Sequence, residues 1–242
     1  MRGLLRRLKR LVRAGIGKDI FPRVQVRYPT TRLGSPYGGW SIIAESLNRE
    51  SIVYSFGVGE DISFDLALIN EFGLTVHAFD PTPKSIAWVR KQSVPDRFIL
   101  HEVGLADFDG EVMFRPPKNP DYISHTALER PETEDQSFSV PVKQLSSILT
   151  ELGHNRITVL KMDIEGSEYK VIESLARSDI RPVQLLVEFH HRFPGVGLQE
   201  TRRSLKHLRE MGYKLFAISD TGEEFGFVYH PGSIKPDFLV GI

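Results

Sequence analysis

The sequence predicts an α/β protein: a doubly wound, mainly parallel sheet of seven strands with an antiparallel element at its C-terminal end. Three observations carry this. Short apolar, β-branched runs alternate with helix-period segments in units of about thirty residues, the rhythm of right-handed βαβ crossovers. The runs are largely apolar rather than alternating, as strands buried on both faces are. The last runs follow one another with no long helix between them, so one of them must turn back against the rest.

Residues 1–18 hold Arg2, Arg6, Arg7, Lys9, Arg10, Arg13 and Lys18 and no acid. Of the 31 bases, 24 therefore remain to face all 31 acids, so a formal net charge of zero conceals a basic arm on a body of −7. Leu4, Leu5, Leu8, Leu11 and Val12 recur at helical spacing among these bases. Two readings are open: a helix lying on an anionic membrane surface with its leucines inserted, or a terminal helix packing its leucines on the parent domain. Bases at nearly every turn argue against a secretory signal, and the acidic body argues against nucleic acid as a partner. No run approaches the roughly 18 apolar residues of a membrane span. With no cysteine, disulfides, thiolate zinc sites and a cysteine nucleophile are excluded, and a cytoplasmic location is expected.

Residues 19–40, rich in Pro, Gly, Arg and Thr, read as an irregular lead-in, so that 1–40 form an arm and 41–242 the domain. A short helix is expected over Ser41–Leu47. Ile52–Phe56 is a strand stopped by Gly57-Val58-Gly59; Ile62, Leu66, Ile69 and Phe72 then mark a helix ended by Gly73. Thr75–Phe79 is the second strand, Lys84–Gln92 a helix and Arg97–Val103 the third strand, followed by a turn into Glu111–Phe114. Residues 115–137, with four prolines, form a polar loop too long to be a mere connection: a lid or substrate-binding segment, or a disordered insertion. Ser139–Val142, a helix over Gln144–Leu152, a strand over Ile157–Met162, a helix to Leu175, a strand over Val183–Phe189 and a helix over Leu198–Met211 come next. Tyr213–Ser219, Gly226–Tyr229 and Phe238–Ile242 close the chain as strands.

Ligands of open parallel sheets bind beyond the carboxyl ends of the strands. Here those ends are Phe56-Gly57-Val58-Gly59, Asp80-Pro81, Val103-Gly104 to Asp107, Asp163 with Glu165, and Glu188 with His190, every one polar or glycine-rich. Gly57 and Gly59 suit close approach of a ligand to backbone at a helix N-terminus, or simply a tight turn. Asp80, about twenty residues on, is placed to accept hydrogen bonds from ribose hydroxyls, or to shape the turn before Pro81. The third glycine of the dinucleotide fingerprint is missing. Glu60 and Asp61 would repel a pyrophosphate yet tolerate a sulfonium or ammonium, which favours S-adenosylmethionine over a nicotinamide cofactor.

Leu160-Lys-Met-Asp163-Ile-Glu165-Gly-Ser-Glu168-Tyr169 resembles the signature of the FkbM methyltransferases, with Tyr54-Ser-Phe-Gly57-Val-Gly59-Glu-Asp61 similar to that family's cofactor loop and His101 to Gly110 to its third strand and turn. The resemblance covers roughly residues 34–242. Phe56 stands where the family commonly has an Asp. The resemblance implies a Rossmann-like class I methyltransferase fold, S-adenosylmethionine as cofactor, Asp107 near its adenine, and O-methylation of a sugar, glycan or secondary metabolite. Methyl transfer to a hydroxyl needs alignment and a base for the departing proton. Asp163, Glu165, Glu188 and His190 are the candidates, with Tyr37, Trp40 and His125 facing the acceptor. Trp40 reads equally as a core anchor, Glu165 as a cap of the next helix, Glu168 as serving that helix, and His191 as structural. No spacing demands a metal and none is expected. The alternative makes Asp163, Glu165, Glu188 and His190 hard ligands of a divalent ion. The rival functions are accordingly a metal-dependent nucleotide-sugar transferase and a non-catalytic membrane-surface module.

Overall fold

A computed structural model describes residues 2–116, 126, 135–193 and 195–230, with side chains from Leu8 onward. In chain order the elements are α1 (Arg2–Gly15), β1 (Thr31–Leu33), β2 (Trp40–Ile42), β3 (Ile52–Phe56), α2 (Ser63–Phe72), β4 (Thr75–Phe79), α3 (Pro83–Val89), β5 (Phe98–His101), β6 (Gly104–Leu105), β7 (Gly110–Phe114), β8 (Phe138–Lys143), α4 (Leu145–Leu152), β9 (Val159–Met162), α5 (Glu168–Ala176), β10 (Gln184–Glu188), α6 (Leu198–Glu210), β11 (Tyr213–Ile218) and β12 (Glu224–Tyr229).

The main sheet has seven strands in the order β11-β12-β10-β9-β3-β4-β5. Neighbours from β5 to β10 run parallel, and β12 alone is reversed, antiparallel to β10 and β11. This is the doubly wound sheet with a reversed C-terminal strand that the apolar runs predict. The order turns at β3 and β9, the switch point where the carboxyl ends of parallel strands part and leave a crevice.

Strands buried on both faces need an apolar layer on each. Tyr54, Phe56, Phe79, Leu160, Met162, Leu185 and Val187 pack under α4, α5 and α6. Val53, Val76, Ala78, Val159 and Leu186 alternate onto the opposite face, under α2, α3 and the Trp40–Leu47 segment. Gly73 ends α2 in the left-handed region at φ 63°, as a glycine cap should. A small second sheet, β6-β8-β7, stands beside the crevice.

Three expectations are corrected. Ser41–Leu47 is not a helix: Trp40–Ile42 pairs antiparallel with Thr31–Leu33, and only a single 3-10 turn at Ala44–Ser46 follows. Ile42 and Ile43 are β-branched and bury completely, which strand pairing allows and a half-exposed helix would not. The lead-in is bound to the domain. Gln25 and Val26 donate backbone hydrogen bonds to the Leu215 carbonyl at 2.8 and 3.2 Å, and Ile20 enters the core. The third strand stops at His101, because Gly104 and Leu105 leave to pair with Val142 and Lys143 of β8. The strand expected over Phe238–Ile242, and most of the 115–137 loop with His125, lie outside the described residues.

Candidate active site

The carboxyl ends of β3, β4 and β9 surround a cavity of about 480 Å³, within the range of small-molecule sites. Phe56, Gly57, Val58, Gly59, Asp61, Asp80, Pro81 and Gly104 line it, together with Asp163, Glu165, Tyr37 and Trp40. Val103 and Asp107 are not among its lining residues. Because β6 is drawn into the second sheet, Leu105 and Ala106 form that wall instead, with Val112, Phe114 and Val142, and Val103 packs half-buried against the core.

The glycine loop is shaped first by its neighbours. Gly57 sits at φ 79°, and a Cβ there would lie 1.7 Å from the Asp163 carbonyl oxygen, so the tip of β9 alone excludes any side chain. Gly59 is also left-handed, at φ 59°. Asp80 braces the loop: Oδ2 accepts the amides of Val58 and Gly59 at 3.1 and 3.0 Å, and Oδ1 accepts that of Thr82 at 2.8 Å. Beneath the loop lies Lys161, which the sequence reading passed over as one lysine in the apolar run before Asp163. It is buried, donates to the Gly57 carbonyl at 2.7 Å and reaches the Trp40 ring at 5.8 Å. Asp65, wholly buried in α2, faces the same charge; burial raises its pKa and Lys161 opposes the rise.

The Asp163–Glu168 turn, which abuts Gly57, adds Asp163, Ile164, Glu165 and Ser167 to the lining. Glu165 stands at φ 52°, a left-handed conformation that a non-glycine residue adopts at a cost of about 1–3 kcal/mol. Thr126, in the middle of the polar loop, donates from its hydroxyl to the Glu165 carbonyl. Glu168 does more than serve its helix. Fully buried, it accepts the Gly166 amide and the His190 amide, each at 2.9 Å, and pairs with His190 Nδ1 at 3.2 Å. This clamps the end of β10 to the turn after β9. His190 Nε2 then points between Asp163 (3.7 Å) and Glu165 (3.5 Å). Burial opposes charge on this imidazole, but Glu168, Asp163 and Glu165 together outweigh it and raise its pKa to about 10. These carboxylates favour the imidazolium form, which has no lone pair with which to accept a proton. Glu188 does not line the cavity; burial first, and then the Asp163 charge, push its carboxyl well above the usual range.

Asp163, Glu165 and His190 each present one donor atom within 4.8 Å of the others. That set is hard enough for a divalent cation if Nε2 gives up its proton. Tyr37 stands exposed at the mouth, while Trp40 is buried and lines the cavity, so it is both core anchor and wall. The Ser35–Gly39 turn that carries Tyr37 is held by the Ser35 hydroxyl, which donates to Asp61 at 2.6 Å. Burial raises the Asp61 pKa, but hydrogen bonds from Ser35, Ser63 and Gly38 reverse this and hold the carboxyl below its ordinary value. Only tertiary pairing reveals Ser35, Thr126 and Glu168 as parts of the site. Lys161 had a signal, a charge inside a buried strand, which is costly unless partnered.

A sequence model of the FkbM methyltransferase domain matches residues 42–215. The chain belongs to the FkbM methyltransferase family. The match takes in every strand from β3 to β10 together with the glycine loop and the Asp163–Glu168 turn. The chain is 29% identical over 180 residues to probable methyltransferase-like protein 24 of Homo sapiens, covering 70% of this chain and 43% of that protein. The Rattus norvegicus counterpart is 30% identical over 179 residues, covering 69% and 43%. The chain thus spans less than half the length of these curated relatives. Among solved structures, a methyltransferase FkbM from Methylobacillus flagellatus KT aligns with a TM-score of 0.47 and 14% identity over 76% of this chain and 44% of the other.

Proposed function

We propose that this FkbM-family chain transfers the methyl group of S-adenosylmethionine to a hydroxyl of a sugar, glycan or secondary metabolite. One observation carries the reading: the glycine loop, Asp80 and the Asp163 and Glu165 carboxylates all line a single cavity. The residues fit that cofactor. Pro81, Leu105 and Val142 offer an apolar wall for an adenine, while Asp61, Asp80 and Asp163 suit a ligand with cationic groups better than a diphosphate. Bound there, S-adenosylmethionine supplies an electrophilic methyl on a sulfonium.

The chain's own residues orient and deprotonate. Tyr37 and Trp40 border the path of the acceptor. With a methyl donor bound, Asp163 or Glu165 would accept the proton released by the acceptor hydroxyl. Imidazolium His190, held by Glu168, fixes both carboxylates and acts as a positioning residue. A second reading, a nucleotide-sugar transferase, is favoured by the three donor atoms of Asp163, Glu165 and His190.

Calorimetric titration separates the two. S-adenosylhomocysteine is expected to bind saturably, and Asp80→Asn, which disturbs the braced loop, to weaken it by about tenfold or more. A folded protein that ignores S-adenosylhomocysteine and binds a nucleotide-sugar in the presence of Mn²⁺ would remove the first reading.

A further inference from the structure

Helix α1 is mounted on the domain the opposite way round from an ordinary surface helix. Leu8, Leu11, Val12 and Ile16 share one face by their spacing, and they are 57%, 45%, 59% and 63% exposed. The polar face is the one that touches the protein. Arg10 is 6% exposed, donates to the Ser219 carbonyl at 3.0 Å and lies over the Phe21 ring at 5.1 Å. It fills the turn between β11 and β12 so closely that a Cβ on Gly222 would meet its Nε at 1.9 Å. A terminal helix packing its leucines on its own domain would show the reverse. Of the two sequence readings of the arm, only the one with an outward apolar stripe matches this geometry.

The helix is also fixed at one place on the sheet. Buried Asp19, just after α1, accepts from His191 Nε2 at 3.0 Å and from Arg192 at 2.7 Å, and Arg192 also pairs with Glu223 at 2.6 Å. His191 follows His190, and Glu224 lies beside Glu188 in the ladder. The anchors therefore sit on the rim formed by the carboxyl ends of the parallel strands, the rim that carries the cavity.

We propose that α1 docks this rim on an anionic lipid surface, its leucine stripe in the interface and its bases against the headgroups. Charge complementarity selects the occupant. Lys9 on the helix and Lys18 just after it are exposed, Arg13 is half-exposed and paired with Asp19 at 3.5 Å, and Arg2, Arg6 and Arg7 continue the basic series in sequence, while the rest of the chain carries −7. A body of net negative charge gains least from anionic lipid away from this helix, which favours docking through the helix. A nucleic acid would use the bases but leave the leucines without a role.

Co-sedimentation of the full chain with phosphatidylcholine vesicles, with and without phosphatidylserine, tests this independently of any methyl transfer. The chain is expected to sediment with the anionic vesicles and only weakly with the neutral ones. Leu8→Ser, Leu11→Ser and Val12→Ser together are expected to weaken partitioning about thirtyfold; these side chains are exposed, so circular dichroism should match the parent's. Lys9→Glu with Lys18→Glu is expected to weaken it about tenfold. Equal sedimentation of parent and serine variant, no sedimentation of the parent, or equal binding to neutral and anionic vesicles each overturns the proposal. So does tight binding to a single-stranded RNA that outcompetes the vesicles and is unchanged in the serine variant.

Discussion

His190, at the carboxyl end of β10, and a cluster of His77, His101 and His154 around β4 and β5 are tuned in opposite directions. On the β10 side, His190 is surrounded by Glu168, Asp163 and Glu165 and is held charged, with its pKa near 10. On the β4–β5 side, His77 meets His101 at 3.0 Å and packs against His154, whose Nδ1 meets the Tyr54 hydroxyl at 2.8 Å. No carboxylate is among the causes acting there. Burial first, then His101 and His154, lower the His77 pKa to about 4, and burial lowers the other two as well. Burial acts on both groups in the same sense. Counter-charge alone decides which imidazole ionises. The charged one borders the cavity walls, and the neutral cluster is part of the core beneath Phe79 and Phe56, where stacked rings continue from His101.

The largest test of this contrast removes the counter-charge. Glu168→Gln strips His190 of its main carboxylate partner, and unfolding in urea should show a loss of about 3 kcal/mol. An NMR titration of His190 in the same variant should find its pKa much lower; an unchanged value would mean that Asp163 and Glu165 suffice. Next in size is the alkaline limb of stability. A raised folded pKa means that His190 stabilises fully below its unfolded value near 6.5 and loses that contribution as pH rises through about 10. Glu188 acts in the same sense. Stability should fall by about 2 kcal/mol from pH 7 to 9, and by less in His190→Gln. The acid limb is somewhat smaller and of opposite sign. With its folded pKa lowered, His77 favours the folded state above pH 6.5 and opposes it as pH falls toward about 4. A loss of about 1–2 kcal/mol between pH 7 and 5 is expected, flattened in His77→Phe. The smallest effect is Tyr54→Phe, which removes one hydrogen bond to His154 and should cost about 1 kcal/mol in thermal or urea unfolding.

What was legible in the sequence followed from local chemistry. Largely apolar runs at Ile52–Phe56, Thr75–Phe79, Ile157–Met162 and Val183–Phe189 announced the parallel strands, because a strand buried on both faces has few polar positions. The tips of those runs carried Gly57, Asp80, Asp163 and Glu165 to one cavity, since all parallel strands end at the same rim. The FkbM signature was legible for the same reason, its residues being consecutive along one strand and turn. What the sequence hid depended on partners far along the chain. Nothing local says that Glu168 grips His190, that Lys161 holds the Gly57 carbonyl, or that β6 leaves the third strand and takes Asp107 away from the cavity wall. The arm shows the division most clearly. Spacing alone determined that α1 has an apolar and a basic face, because helical periodicity is set by the backbone. Which face meets the protein was decided by the turn at Ser219–Gly222 and by Asp19, His191 and Arg192, in contacts whose partners lie as far as 209 residues apart. A contact at that separation exists only once the chain has folded.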